Sequence, residues 1–330
     1  MENLAKLIEV ACSKRGAELS SLDLYRVFDG AADGCAKLFI DRIGPFCLAH
    51  ILDDAASALQ LQNALQTAAP LLANLTSVRS VYARVHSKDP KSTGAARASL
   101  LFGEEIPEAV VKEHGLSFLV RPQANVNAGI FLDTRELRGK LLRGSQGMKV
   151  LNTFCFTGSL GIAAYAGGAD EVVQVDSSKA ILNWARENFE INKSLGQGVM
   201  RFICEDCLTF LGREARRIQE GARPYSLVIL DPPSFGKAGT KVFSLRRDLA
   251  ELISAACRVL EPHGALSLTV NARSLAEQDF KEIWMAAIAE ANFEVRESQV
   301  LQAPQSDFRA QGQASIAAKG IYLSMRRRNS

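Results

Sequence analysis

The sequence contains no apolar run of about eighteen residues, the least that spans a bilayer as a helix, so a membrane-spanning segment is not expected. Its start, Met1-Glu2-Asn3, is polar and acidic rather than leader-like. A strong charge of one sign is missing too: 39 Lys and Arg stand against 36 Asp and Glu, a net +3 at neutral pH. That balance permits nucleic-acid binding without demanding it. Histidine is scarce, and His50, His86, His114 and His263 show no ligand spacing. The seven cysteines form no paired framework, which fits a reducing cytoplasm. Cys204 and Cys207 share a C-x-x-C spacing, but no second pair or His-x-His completes a site, so no metal is expected. These cysteines read as small buried apolar residues. The dinucleotide fingerprint G-x-G-x-x-G is also absent, which disfavours a nicotinamide oxidoreductase. There is no internal repeat.

What is present begins with bulk. Hydrophobic residues are 47% of the 330, enough for a substantial core and a length that suits two domains. The apolar run Leu227-Val228-Ile229-Leu230 stops at Asp231-Pro232-Pro233-Ser234-Phe235. It reads as a buried strand that ends abruptly. Open α/β sheets bind ligands at the carboxyl ends of their strands. Proline donates no backbone hydrogen bond, leaving the Asp231 and Pro232 carbonyls to accept one from a ligand. Phe235 offers a flat face. An acceptor beside a stacking face suits a flipped-out nucleobase.

Upstream, Lys149 to Thr153 reads as a strand running into Cys155-Phe156-Thr157-Gly158-Ser159-Leu160-Gly161 and then a helix. Gly158 lets the backbone approach a ligand closely. Glu171 to Asp176 reads as the next strand, and an acid at its end can accept from both ribose hydroxyls. Ser177 and Ser178 are candidate caps for a helix carrying Ile181, Trp184, Ala185 and Asn188 on one face. Met200 to Cys204 reads as a third strand, after which Asp206 can receive an adenine amino group. Glycine turn, ribose acid, adenine acid and Asp-Pro-Pro corner, in that order, form the pattern of a class I S-adenosylmethionine-dependent methyltransferase.

From about residue 22 to 325 the chain resembles the bacterial large-subunit ribosomal RNA methyltransferases that act on cytosine carbon-5 or guanine N7. The resemblance is carried by Gly129-Ile130-Phe131-Leu132-Asp133-Thr134-Arg135, the Asn152 to Gly161 turn, Val175-Asp176 with its helix through Asn192, and Asp231 to Phe235. It implies a Rossmann-like doubly wound sheet over 121–330, preceded by an α+β accessory, RNA-binding domain over 1–120. It implies S-adenosyl-L-methionine as cofactor, contacted by Phe131, Asp133, Arg135, Asn152, Phe154, Thr157, Gly158, Asp176, Ser177, Asn192, Asp206 and Asp231. It implies Asp231, Pro232, Phe235 and Asn271 at the reacting base. The expected partner is RNA, with ribosomal RNA foremost, for a cytoplasmic monomer or homodimer that touches no membrane.

One departure bears on the chemistry. Carbon-5 of cytosine needs a thiolate to add to the ring. In the resembling family that cysteine follows the strand matching Ala265 to Val270, where this chain has Asn271. The other lineage places a cysteine after the proline of the corner, where this chain has Ser234. Transfer to a base nitrogen needs no thiol. The open alternatives are cytosine-C5 chemistry with another cysteine, a small-molecule or protein methyltransferase, an oxidoreductase, and a catalytically dead RNA-binding relative. Lys237, Lys241, Arg246 and Arg247, next to the corner, are expected at phosphates. Arg213, Arg216 and Arg217 read as a solvated helix face. An antiparallel edge strand is expected near Gly320 to Arg326.

Overall fold

A computed structural model describes residues 2–53, 55–86, 97–124, 127–233, 235–238, 241–271, 275–310 and 317–328. The chain divides into two compact units, residues 1–135 with 303–316, and residues 136–302 with 317–330. The boundary expected from sequence lay at 120/121. The 303–316 return was not expected, and it is a property of side-chain bonding rather than of chain order.

The first unit holds helix α1 (Glu2–Ser20), strands β1 (Leu24–Asp29), β2 (Leu38–Ile43) and β3 (Phe46–Ile51), helix α2 (Ala55–Thr76), and strands β4 (Ser80–Val85) and β5 (Ser99–Gly103). Its five-stranded sheet runs in the order β1-β2-β3-β4-β5, with β3 and β4 parallel and the other pairs antiparallel. A two-stranded ribbon, β6 (Ala109–Glu113) and β7 (Leu116–Val120), follows. Leu65, Ala69 and Leu72 of α2 share one core with Ile8 of α1 and Ile40 and Ala49 of the sheet.

Beside that core lies a buried network of ions. Arg15 donates to both carboxylate oxygens of Asp33, at 2.9 and 2.6 Å. Arg26 reaches Asp41 at 2.8 Å and Asp29 at 3.2 Å. Asp307 accepts from the Arg26 backbone at 2.9 Å and from Arg135 at 2.5 Å. The other end of the returning segment is tied to Asp29, which accepts from the backbone N–H groups of Arg309 and Ala310 at 2.7 and 2.6 Å. Burial works against the Arg26 charge, yet Asp41 and Asp29 raise its pKa above the ordinary value. These bonds are why residues 303–310 belong to the first unit.

The second unit holds helix α3 (Arg135–Gly144), which begins at the boundary, then strand β8 (Lys149–Thr153), helix α4 (Ser159–Ala166), strand β9 (Glu171–Asp176), helix α5 (Lys179–Asn192) and strand β10 (Val199–Cys204). Helix α6 (Cys207–Gln219), strand β11 (Tyr225–Leu230), hairpin strands β12 (Phe235–Ala238) and β13 (Lys241–Ser244), helix α7 (Leu245–Cys257), strand β14 (Leu260–Val270), helix α8 (Glu277–Glu290), and strands β15 (Phe293–Leu301) and β16 (Lys319–Arg327) complete it. The seven-stranded sheet has the order β10-β9-β8-β11-β14-β16-β15. The first five strands are mutually parallel. β16 is antiparallel to both its neighbours, but it is not the edge. The crossover through α8 lays β15 down first, and β16 then inserts between β14 and β15. The antiparallel strand of the sequence reading is therefore internal.

The two faces of this sheet differ. One packs Leu151, Val173, Val175, Val228, Leu230, Leu266 and Leu268 against α6, α7 and α8. The row on the other face carries Gln174, Asn152 and Ser267, laterally paired through Ile229 and all fully buried or nearly so. Among the described residues no helix is long and apolar enough to cross a membrane.

Candidate active site

Parallel strands place their carboxyl ends on one edge. Along that edge, in sheet order, come Asp206 after β10, Asp176 ending β9, the Phe154–Gly158 turn after β8, Asp231 after β11 and Asn271 after β14. At about 4.8 Å per strand the row spans about 19 Å, the length scale of a nucleoside with a substituent followed by a second planar group. The fold thus brings the expected acids and turn to one edge, in a lateral order set by the sheet topology and not by their order along the chain.

The turn is tightly built. Phe154 and Phe156 hold φ of 52° and 49°, a left-handed conformation unusual for bulky residues. Such strain persists where surrounding bonds over-determine it. Here Cys155 N–H donates to Val175 O at 3.0 Å, and Phe154 N–H to the Cys207 sulfur at 3.3 Å. Phe156 N–H donates to Asp176 Oδ2 at 3.2 Å, and Ser178 N–H to Asp176 Oδ1 at 2.9 Å. Asn188 Nδ2 donates to Thr157 O, and Gln174 Nε2 to Gly158 O, each at 3.0 Å. Gly158 sits at φ 83°, where a Cβ would come within 2.8 Å of Gln174 Nε2 and 3.1 Å of the Ala185 Cβ. Only glycine fits, and the turn presents bare backbone.

Burial raises the Asp176 carboxyl pKa above its ordinary value, against the lowering effect of its backbone donors. Asp206 is half-buried, and its Oδ1 caps α6 by accepting from Thr209 N–H at 2.9 Å. Ser177 is exposed, and it is Ser178 that caps α5, accepting from Ile181 N–H at 3.4 Å. Asn152 lies inside β8, fully buried, with Nδ2 on Gln174 Oε1 at 2.7 Å and an Oδ1 that has no hydrogen-bond partner. Asn192 ends α5, about 20 Å along the axis from its start. There it donates to Asn188 O at 2.7 Å, so the fold does not bring it to the carboxyl edge.

The corner after β11 keeps Asp231 half-buried, Pro232 buried and Pro233 exposed, and Asn271 is exposed. Ser234 lies outside the described residues, as does the side chain of Phe235, whose backbone opens β12 opposite Ser244. The side chains of Lys237 and Lys241 also lie outside them. Arg246 approaches Asp279 at 3.6 Å and Arg247 pairs with Asp248 at 2.6 Å.

Phe131, Asp133 and Arg135 belong to the first unit. Phe131 is exposed and Asp133 half-buried in a short turn, Leu132–Thr134. Arg135 is buried, bonded to Asp307 and to Leu24 O at 2.9 Å. The sequence reading gave no role to Gln174 or to the Asn188 side chain beyond its helix face. The available signal was a glutamine inside Val172-Val173-Gln174-Val175, in a strand type that is normally apolar throughout.

The family model described as S-adenosylmethionine-dependent methyltransferase matches residues 54–310. The chain belongs to that family. Relatives of this methyltransferase include ribosomal RNA large subunit methyltransferase I of Aeromonas hydrophila, 33% identical over 282 residues, covering 84% of this chain and 68% of that one. The Salmonella arizonae protein of the same name is 31% identical over 285 residues, with 85% and 68% covered. Among solved structures, SMU.776 complexed with SAH superposes with a TM-score of 0.84 at 25% identity, over 98% of this chain and 81% of that one. A SAM-dependent methyltransferase from Agrobacterium tumefaciens shares the fold, with a TM-score of 0.65 at 21% identity over 93% and 91% of the two chains. The methyltransferase thus uses S-adenosylmethionine. Its carboxyl edge fits that group on its own geometry: a bare-backbone turn, with acids beside it where hydroxyl and amine donors need acceptors.

Proposed function

We propose that this enzyme methylates a base of ribosomal RNA by direct transfer to a nitrogen, guanine N7 or an exocyclic amine. The supporting observation is the carboxyl-edge row itself, which continues past the glycine turn to Asp231-Pro232 and Asn271 with no thiol at either position. When bound, S-adenosylmethionine would supply an electrophilic sulfonium methyl and leave as a neutral thioether; the positive charge would stay on guanine N7, or leave as a proton to solvent from an exocyclic amine.

The chain's residues do the rest by placement. Asp176 accepts from the ribose hydroxyls, Asp206 from the adenine amine, and Gly158 lets the cofactor approach the turn. Asn152, Phe154, Thr157 and Ser177 shape that side of the pocket. Asp231 and the Pro232 carbonyl hold donor hydrogens of the base so that its lone pair faces the methyl. Phe235 stacks on the ring and Asn271 reads an edge. Positioning of this kind contributes up to about 7–11 kcal/mol through effective molarity. Asn192 supports α5 rather than touching the cofactor.

The state of the cysteines favours nitrogen over carbon-5. Burial raises the Cys155 thiol well above its ordinary value, and raises Cys207 as well. Both then stay neutral, and a neutral thiol is a poor nucleophile. The exposed thiol, Cys204, ends β10, about 14 Å by strand spacing from the Asp231 corner. The names of the relatives favour RNA over a small molecule, and the reading places the enzyme in the cytoplasm with ribosomes, as a monomer or homodimer.

Methylation maps of ribosomal RNA from cells with and without the gene test the substrate: one base-nitrogen methyl should vanish. Incubation with 5-fluorocytosine RNA tests the atom. No covalent adduct is expected, and an adduct mapped to any cysteine would overturn the nitrogen assignment.

A further inference from the structure

We infer that Gln174 and Asn188 are positioning residues for S-adenosylmethionine, which orient the cofactor turn by holding its consecutive carbonyls, Gly158 O and Thr157 O. Gln174 is wholly buried in the middle of β9. A valine there would suit a strand covered on both faces. A buried amide is tolerated only where its groups are bonded, and both of these are. Oε1 accepts from Asn152 Nδ2 at 2.7 Å, and Nε2 donates to Gly158 O at 3.0 Å. The bonds run in one direction, from strand β8 through the amide to the turn.

The glycines of the turn are moulded to this side chain. A Cβ on Gly161 would lie 2.5 Å from Gln174 Cδ and Oε1, and one on Gly158 2.8 Å from Nε2. Gly161 is therefore a glycine because Gln174 occupies its side-chain space, not because a ligand approaches it. Asn188, also wholly buried, reaches up from α5 to hold the neighbouring carbonyl at 3.0 Å. In a planar trans peptide the N–H points opposite to the carbonyl. Fixing Thr157 O therefore fixes Gly158 N–H, which donates to Cys155 O at 2.8 Å, and fixing Gly158 O, which also accepts from Ile162 N–H at 2.9 Å, fixes the direction of Ser159 N–H. With Phe156 N–H held by Asp176, the turn has no freedom to rotate these groups. The cofactor meets a preformed surface, and the ordering cost is met at folding rather than at binding.

The test is calorimetric binding of S-adenosylhomocysteine to the full chain, which requires no RNA and stands whatever the RNA substrate is. Gln174→Met keeps the volume and loses both bonds. It should weaken binding about tenfold, equivalent to about 1.4 kcal/mol, at every pH. Asn188→Leu should act in the same direction. Gln174→Glu supplies the discriminating arm. Its introduced carboxyl repels Gly158 O when ionised, but when protonated it donates to Gly158 O and accepts from Asn152. Burial raises its pKa. The ratio of its Kd to that of the natural protein should therefore fall towards one as pH is lowered, while the Gln174→Met ratio stays flat. Amide exchange at residues 156–161 should quicken in Gln174→Met and recover in Gln174→Glu at low pH. Binding by Gln174→Met within twofold of the natural protein overturns the inference. If Gln174→Met does not fold, a pH-independent ratio for Gln174→Glu overturns it.

Discussion

Two buried polar networks, one in each unit, are built from opposite kinds of group, although the second unit also buries the charged Arg138 and Glu214. The first buries ions: Arg15, Arg26 and Arg135 against Asp29, Asp33, Asp41 and Asp307. The second buries neutral amides: Asn152, Gln174 and Asn188. Ion pairs in a low dielectric are costly to desolvate and more costly to break, so they specify which segments must be present together. Their place is where residues 303–310 must be held against β1. Amides carry no net charge, so they brace a backbone turn without adding a field to a site that would bind a cationic cofactor. The difference teaches that the charged network governs assembly of a unit and the neutral one governs the shape of a site.

Breaking the charged network should have the largest effect. Asp33→Ala removes both oxygens that pair with Arg15 and the acceptor of Asp29 N–H, at 2.8 Å. Leaving a buried guanidinium unpaired costs about 3–5 kcal/mol, and urea unfolding should show that loss. Burial alone would raise the Asp33 pKa, but the bonds from Arg15 and Asp29 N–H outweigh it and the folded value is lowered. Its contribution is therefore present above the unfolded carboxylate range and is lost as pH falls through the depressed folded value. The natural protein should lose stability there, and Asp33→Ala should show less of that acid dependence. An unchanged unfolding midpoint in Asp33→Ala would place the stability of this unit in its apolar core instead.

Changes at the turn should appear in binding rather than in folding. Asp176→Ala should weaken S-adenosylmethionine by about 1.5–3 kcal/mol, the usual loss for a hydrogen bond to a charged acceptor, as read by calorimetry. Gly158→Ala should weaken it too, because alanine at φ 83° is strained and its Cβ pushes on Gln174. Both should leave secondary structure intact. If either unfolds the chain as Asp33→Ala is expected to, the division between assembly and site fails.

A smaller effect concerns pH. The folded Asp176 pKa is raised by burial, so its ionised form is lost at a higher pH than for an exposed aspartate. Affinity for S-adenosylhomocysteine should decline on acidification from that higher pH, and Asp176→Asn should flatten the decline. For the ligand-free chain the sign is opposite. A raised folded value penalises the charged form, so protonating Asp176 relieves a cost while protonating Asp33 creates one.

The smallest effect is chemical labelling. Burial pushes the thiols of Cys47 and Cys257 up to about 12 and that of Cys12 to about 11, and raises Cys155 and Cys207 as well. Brief iodoacetamide treatment at pH 8 should modify the exposed Cys204 and spare these five. Rapid labelling of Cys155 or Cys207 would reopen carbon-5 chemistry.

Much of the fold was legible because its signals are local. The apolar runs of β8, β9 and β11, the prolines after Leu230, and the serine before α5 each act within a few residues. A parallel sheet puts every strand end on one side, so the acids after β9 and β10 share an edge with the turn after β8, while their lateral order, with β8 and β11 adjacent, was set by the crossovers. What the sequence by itself determined is therefore the strands, their shared carboxyl edge and the acids at their ends. Only the tertiary structure decided that β16 inserts between β14 and β15, that Asn192 lies a helix length from the site, and that Arg135 is bonded to Asp307. Only there does Gln174 meet Gly161, whose missing side chain makes room for that amide. Each of these depends on which distant residue fills a given space, and close packing settles that only once the strands have assembled.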